Sequence, residues 1–227
     1  MANKKFNKSF IGGIAVALLL PLSFWIYFNL KVGSSIKNQL PAYYLADSVT
    51  AQGDTIYHTV QDITLTNQLG KEVSINKDLA GKIVVVNFMF TTCPTICPRL
   101  TGNMLLLQRA FRKNDTTVHL VSMTVDPTRD SFPALRAYAD RYNVNHDHWW
   151  FLTGNRDTIY NFARNELKVT MQPGTGGTDD FIHSQKIVLL DRERNIRGYY
   201  DGLDSAELKR CSDDIVLISL EKKHKRK

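Results

Sequence analysis

A chain of 227 residues holds one domain of ordinary size with extensions, and its 43% hydrophobic and 10% aromatic content is that of a globular protein, not a disordered one. The formal net charge of +7 is carried by the two ends: residues 1–31 hold +4, residues 221–227 hold +4, and residues 32–220 are left with −1. A nucleic-acid binder presents its basic stripe on the folded body, so this distribution argues against that class and no nucleic-acid partner is expected.

Residues 1–9 carry Lys4, Lys5 and Lys8 ahead of residues 10–30, FIGGIAVALLLPLSFWIYFNL, a stretch without a charged side chain. At about 1.5 Å per residue, a helix of this length spans roughly the 30 Å hydrocarbon core of a bilayer. Trp25, Tyr27 and Phe28 gather near its far end, where aromatic rings favour the interface. Pro21 is tolerated in a membrane helix. The far end is bulky and offers no small-residue cleavage site, which favours an uncleaved anchor over a removed signal peptide. The leading lysines hold residues 1–9 in the cytoplasm and send the rest across. The expected localisation is therefore a single-pass membrane protein whose domain faces the extracytoplasmic, periplasmic side.

Residues 31–55, with Gly33, Ser34, Ser35 and Pro41, predict a polar linker. Residues 57–65 and 72–75 predict a hairpin around a loose turn. Residues 82–90 are apolar on both faces, the pattern of a central strand. Residues 99–113 have helical periodicity, with Leu100, Met104, Leu107 and Phe111 on one side. Residues 117–125 predict a second central strand. Ser131 stands as the cap of a helix reaching residue 142, with Pro133 in its first turn. A short strand at 149–152 precedes a helix at 155–167 capped by Asn155. Strands at 186–190 and 196–200 surround the turn 191–195, and a last helix capped by Ser205 covers 205–220. Residues 221–227 form a basic tail. Strands alternating with helices, then a hairpin and a helix, predict an α/β domain over residues 56–220 with a mixed sheet flanked by helices.

The chemistry concentrates in FMFTTCPTICP, residues 88–98, directly after the apolar run 83–87. Cys93 and Cys97 stand four residues apart, each followed by a proline. Such thiols form a disulfide, exchange one, or hold a soft metal. On a helical turn this spacing places both sulfurs on one side. A helix N-terminus stabilises a thiolate, a physical reason for cysteines at a strand-to-helix junction. In an oxidising compartment an unprotected dithiol drifts to a disulfide, so a working pair needs a thiol reductant or a bound metal. A structural disulfide and two reduced core cysteines stay open at this point. Cys93, nearer the strand, is expected to be the more exposed, attacking sulfur.

Other candidates take plainer roles. His146 and His148 belong to a solvated loop, and His58 and His119 fall within strand patterns as structural residues. Residues 126–130, DPTRD, form a turn with a salt-bridged cap at the same sheet edge as the cysteines. Residues 174–177 form a flexible glycine-rich loop without the lysine and helix of a phosphate loop. Cys211 is a buried small residue of the last helix.

Four stretches, in order, resemble the Sco/SenC family: residues 87–98 with the C-x-x-x-C-P core, 121–130 reading VSMTVDPTRD, 150–154 reading WFLTG, and 181–191 reading FIHSQKIVLLD. With the anchor they cover the chain from about residue 10 to about residue 215. The resemblance implies a thioredoxin-like fold and a link to copper delivery for cytochrome c oxidase. It implies Cys93, Cys97 and His183 as copper ligands, with Ile182 where many members carry an acidic residue. Two thiolates and an imidazole form a soft site suited to Cu(I), Cu(II) or Zn(II), and closed structural zinc would need a fourth ligand that the spacing does not offer. Copper is thus the expected cofactor. The expected function is a membrane-anchored copper-binding assembly factor. Its expected partners are the copper-binding subunit of cytochrome c oxidase or another extracytoplasmic cuproprotein, together with a thiol reductant. The alternative is a thiol–disulfide oxidoreductase built on the same Cys93 and Cys97, for which His183 is dispensable. A thiol peroxidase would use Arg99, but the cysteine spacing does not suit it.

Overall fold

The computed structural model describes residues 17–27, 40–111, 117–169 and 185–221. The chain divides into two compact units, Met1–Leu40 with Glu221–Lys227, and Pro41–Leu220. In the first, residues 17–27 form a helix, α1, whose side chains are exposed. Among the described residues no helix is long and apolar enough to cross a membrane. The remainder of the expected span, 10–16 and 28–30, lies outside the described residues, as do residues 31–39 of the expected linker and 222–227 of the basic tail.

The second unit begins earlier than the periodicity suggests. Strands β1 (Ala46–Val49) and β2 (Thr55–Tyr57) pair antiparallel. The first lies within the segment expected to be linker, and Tyr57 pairs with Ala46 instead of continuing into a longer strand. The reason is tertiary. The Arg197 guanidinium donates to the Pro41 carbonyl at 2.9 Å and lies 4.0 Å from the Tyr43 ring centroid, and Tyr43 stacks on Tyr57. The Tyr44 N–H also donates to the Ile196 carbonyl. Residues 41–57 are thereby fastened to the domain.

The main sheet is built from β3 (Thr64–Asn67), β4 (Glu72–Ser74), β5 (Ile83–Met89), β6 (Val118–Thr124), β7 (Trp149–Thr153), β8 (Lys186–Leu190) and β9 (Ile196–Asp201). Its order is β4-β3-β7-β6-β5-β8-β9, with β7, β6 and β5 parallel and the outer pairings antiparallel. The sheet is mixed, as expected. Every residue of β5 and β6 is buried, the property of strands covered on both faces. Asn87, the one polar residue of β5, accepts from the Ser122 hydroxyl at 2.6 Å, and Ser122 accepts from the Trp149 indole N–H at 2.8 Å. This chain ties together the register of three neighbouring strands. Gly70 takes φ +76 in the β3–β4 turn, where the Asn67 side chain accepts from the Leu69 and Lys71 N–H groups.

The helices are α2 (Ile75–Asp78), α3 (Ile96–Ala110), α4 (Phe132–Arg141), α5 (Arg156–Asn161), which runs into a π-helical turn at Phe162–Glu166, and α6 (Ser205–Leu220). Asn155 caps α5 through the Thr158 N–H, as its position predicts. Two other expected caps differ. Ser131 makes no side-chain capping bond. At α6 the capping oxygen comes from Asp204, which accepts from Ala206 N–H at 2.7 Å, one residue before the expected Ser205. Helix α3 starts three residues earlier than its apolar stripe indicates, which brings Cys97 into the first turn.

Candidate metal and redox site

Strand β5 ends at Met89, and its carbonyl accepts from the Val125 N–H at 2.9 Å, so the ends of β5 and β6 advance together. Residues 90–95 then turn into α3. The helix leaves its first N–H groups without intrahelical partners. Thr95, at the cap position, supplies no side-chain bond. Instead the Cys97 N–H donates to the Cys93 sulfur at 3.4 Å. A thiol thus takes the role that serine or aspartate fills at most helix starts.

Both cysteines are free thiols and both are 4% exposed. Exposure therefore does not single out Cys93, contrary to the expectation from its position; protonation does. Burial opposes the Cys93 thiolate, but the N–H groups of Cys97, Thr95 and Ile96 together outweigh it, and the Cys93 pKa is lowered. Cys97 has the opposite setting. Burial, then its hydrogen bond and charge interaction with Cys93, and the Asp130 charge, push it up to about 12. One sulfur ionises more readily than an ordinary cysteine while its neighbour holds its proton.

The DPTRD turn borders this loop. Asp126 is ion-paired with Arg129, the salt-bridged turn that the sequence indicates. Asp130 is fully buried and accepts from the Thr91 N–H at 3.1 Å and from the Thr91 and Thr124 hydroxyls. The sequence places this turn at the correct sheet edge, but nothing in it pairs Asp130 with Thr91, 39 positions away.

His183 and the glycine-rich loop 174–177 lie outside the described residues. Among the described residues, no group of three His, Cys, Asp or Glu side chains is placed to hold a metal ion. The chemistry of the donor pair fits a soft ion, since two adjacent thiols suit copper better than magnesium or calcium. Three other histidines are held elsewhere in the domain. His146 bridges Gln68 and Asp140, at 2.9 and 2.8 Å. His58 bonds the Glu166 carbonyl at 3.1 Å. His119 is buried, with its ring 4.4 Å from that of Trp150. Cys211 is fully buried in α6, the structural role expected of it.

The family model described as SCO1/SenC matches residues 51–213. The SCO1 protein homolog of Bacillus subtilis (strain 168) is 32% identical over 164 residues, covering 72% of this chain and 82% of that protein. The solved structure of BsSco, a member of the Sco family of cytochrome c oxidase assembly proteins in which a disulfide switch was identified, superposes with a TM-score of 0.63 at 28% identity, covering 79% of this chain and 100% of that one. The structure of Arabidopsis thaliana ScoI with copper bound superposes with a TM-score of 0.58 at 25% identity, covering 72% of this chain and 99% of that one.

Proposed function

We propose, for a chain that belongs to the SCO1/SenC family, a membrane-anchored copper-binding assembly factor that delivers copper to the copper centre of cytochrome c oxidase. The observation that carries this reading is the pair at the head of α3: Cys93 and Cys97 joined by an N–H···S contact, one thiol prepared to ionise and the other protonated. Copper is the cargo. Cys93 and Cys97 supply two thiolates to it, and His183 supplies the imidazole that completes a soft three-ligand set. The copper-bound relative and the family's role in cytochrome c oxidase assembly support the same assignment. Residues 10–30 anchor the chain once through the membrane, with residues 1–9 cytoplasmic and the domain extracytoplasmic. There a thiol reductant regenerates the dithiol after each oxidation.

The test is titration of the reduced full chain in detergent with Cu(II) sulfate, beside His183→Ala and Cys93→Ser. One-to-one binding with a thiolate charge-transfer band, reduced in both variants, is the expected result. A Cys93→Ser protein that binds copper with unchanged absorption would overturn the ligand assignment. The topology is tested separately: protease applied outside sealed cells removes the domain and leaves residues 1–9 protected.

The unequal proton affinities favour one second reading, a thiol–disulfide oxidoreductase. The Cys93 thiolate attacks a partner disulfide and releases one partner thiol. Cys97 then loses its proton and displaces the other, leaving the partner as a dithiol and Cys93–Cys97 as a disulfide. Two electrons pass to the partner and an external thiol reductant restores them. Activity of this kind that survives His183→Ala in a protein binding no copper would identify it as the principal function.

A further inference from the structure

We infer that Asp130 is a positioning residue of the cysteine loop, holding Thr91 so that the Cys93 sulfur stays at the Cys97 N–H; for copper binding the inference rests on the reading above. Burying a carboxylate is costly unless hydrogen bonds meet its charge. Asp130 is fully buried, and its oxygens take the Thr91 N–H at 3.1 and 3.3 Å, the Thr91 hydroxyl and the Thr124 hydroxyl. Hydrogen bonds to an ionised acceptor are among the stronger ones in proteins. The carboxylate is itself held from behind. Asp130 N–H donates to the Asp126 carbonyl at 2.9 Å, and Asp126 N–H donates to the Thr124 hydroxyl at 2.9 Å. Thr124 closes β6, and Thr91 stands two residues before Cys93. The rigid end of a central strand is thereby connected, through one carboxylate, to the start of the loop that carries the thiol. A Cys93 N–H bond to the Phe90 carbonyl at 3.3 Å also closes this turn, but it is local to the loop and does not reach the end of β6.

The variants that test this are Asp130→Asn, Thr91→Val and Thr91→Ser, with Ile215→Ala in the buried face of α6 as a control for stability alone. Two measurements apply to the reduced full chain: the rate of iodoacetamide alkylation at Cys93, located by mass spectrometry at one pH, and the charge-transfer absorption after addition of Cu(II) sulfate. Release of the loop raises the Cys93 rate about threefold or more in Asp130→Asn, because local opening governs access to a buried thiol. Thr91→Val moves the rate in the same direction by less, since its N–H bond remains. Thr91→Ser, which restores the hydroxyl, matches wild type. The copper band shifts in Asp130→Asn, and Ile215→Ala leaves both measurements unchanged. Wild-type behaviour of both Asp130→Asn and Thr91→Val overturns the inference, as does an equal response from Ile215→Ala. If wild type binds no copper, the function proposed above fails, and the alkylation rates alone decide the role of Asp130.

Discussion

The Cys97 N–H points at the Cys93 sulfur across 3.4 Å, so the first turn of α3 is capped by a thiol instead of an oxygen. This contact joins helix formation to chemistry. The N–H group that the helix leaves unpaired is the group that stabilises a thiolate.

The two thiols therefore titrate apart. The Cys93 pKa is lowered, so its thiolate forms at lower pH than that of an ordinary cysteine. Cys97, pushed up to about 12, stays protonated at neutral pH. Alkylation of the reduced protein between pH 6 and pH 8 (about the range in which a lowered thiol reacts) should modify Cys93 well ahead of Cys97. Equal labelling, or Cys97 first, would contradict the assignment.

His119 makes the domain sensitive to acid. Neither ring nitrogen has a hydrogen-bond partner among the described residues, and burial, with smaller contributions from Lys82 and His148, pushes its pKa down to about 3. The unfolded chain takes up a proton as the pH drops through about 6.5, while the folded protein does not. Stability is thus complete above that pH and falls at up to ~1.4 kcal/mol per pH unit towards about 3. Urea melts across this range should show a shallower loss for His119→Leu than for wild type. Removing two unpaired buried nitrogens should also raise stability at neutral pH by about 1 kcal/mol. Identical pH slopes for the two proteins would rule out this origin.

Arg197 and Asp191 form a buried ion pair at 3.2 Å, and the same guanidinium holds Pro41. Arg197→Ala leaves Asp191 buried without its cation and should cost about 3–5 kcal/mol. Hydrogen exchange should show residues 41–57 losing protection first. Uniform loss across the sheet would mean that Arg197 does not fasten this segment in particular.

Gly198 lies in β9 against Tyr200, whose hydroxyl donates to the Asp214 carboxylate at 2.7 Å. A Cβ at position 198 would clash with the Tyr200 hydroxyl and ring edge, and Tyr200 is fully buried. Gly198→Ala should destabilise by about 1–3 kcal/mol, the usual cost of overpacking. Tyr200→Phe removes the nearest of the clashing atoms and so relieves part of the clash, while the ring carbons Cζ and Cε2 still press on the Cβ. In the double variant the two costs should not add, which a double-mutant cycle by urea denaturation measures.

Much of this architecture is written locally. Residues 83–89 are apolar without interruption, which marks a strand covered on both faces, and the cysteines follow at once, so the candidate site was legible at a strand-to-helix junction. Asn155 is a cap whose partner lies three residues away. Periodicity and capping act over one or two turns, and such features survive in a linear reading.

The sequence by itself determined the α/β alternation, the charge at the two ends, the position of the thiols and the family to which the chain belongs. Only the tertiary structure decided that residues 41–57 join the domain, that Asp130 holds Thr91, and that Cys93 and Cys97 differ in proton affinity despite equal solvent exposure. The physical reason is common to all three. Each depends on a hydrogen bond or a desolvated charge set by the packing of the folded chain, and that environment does not exist until the chain has folded.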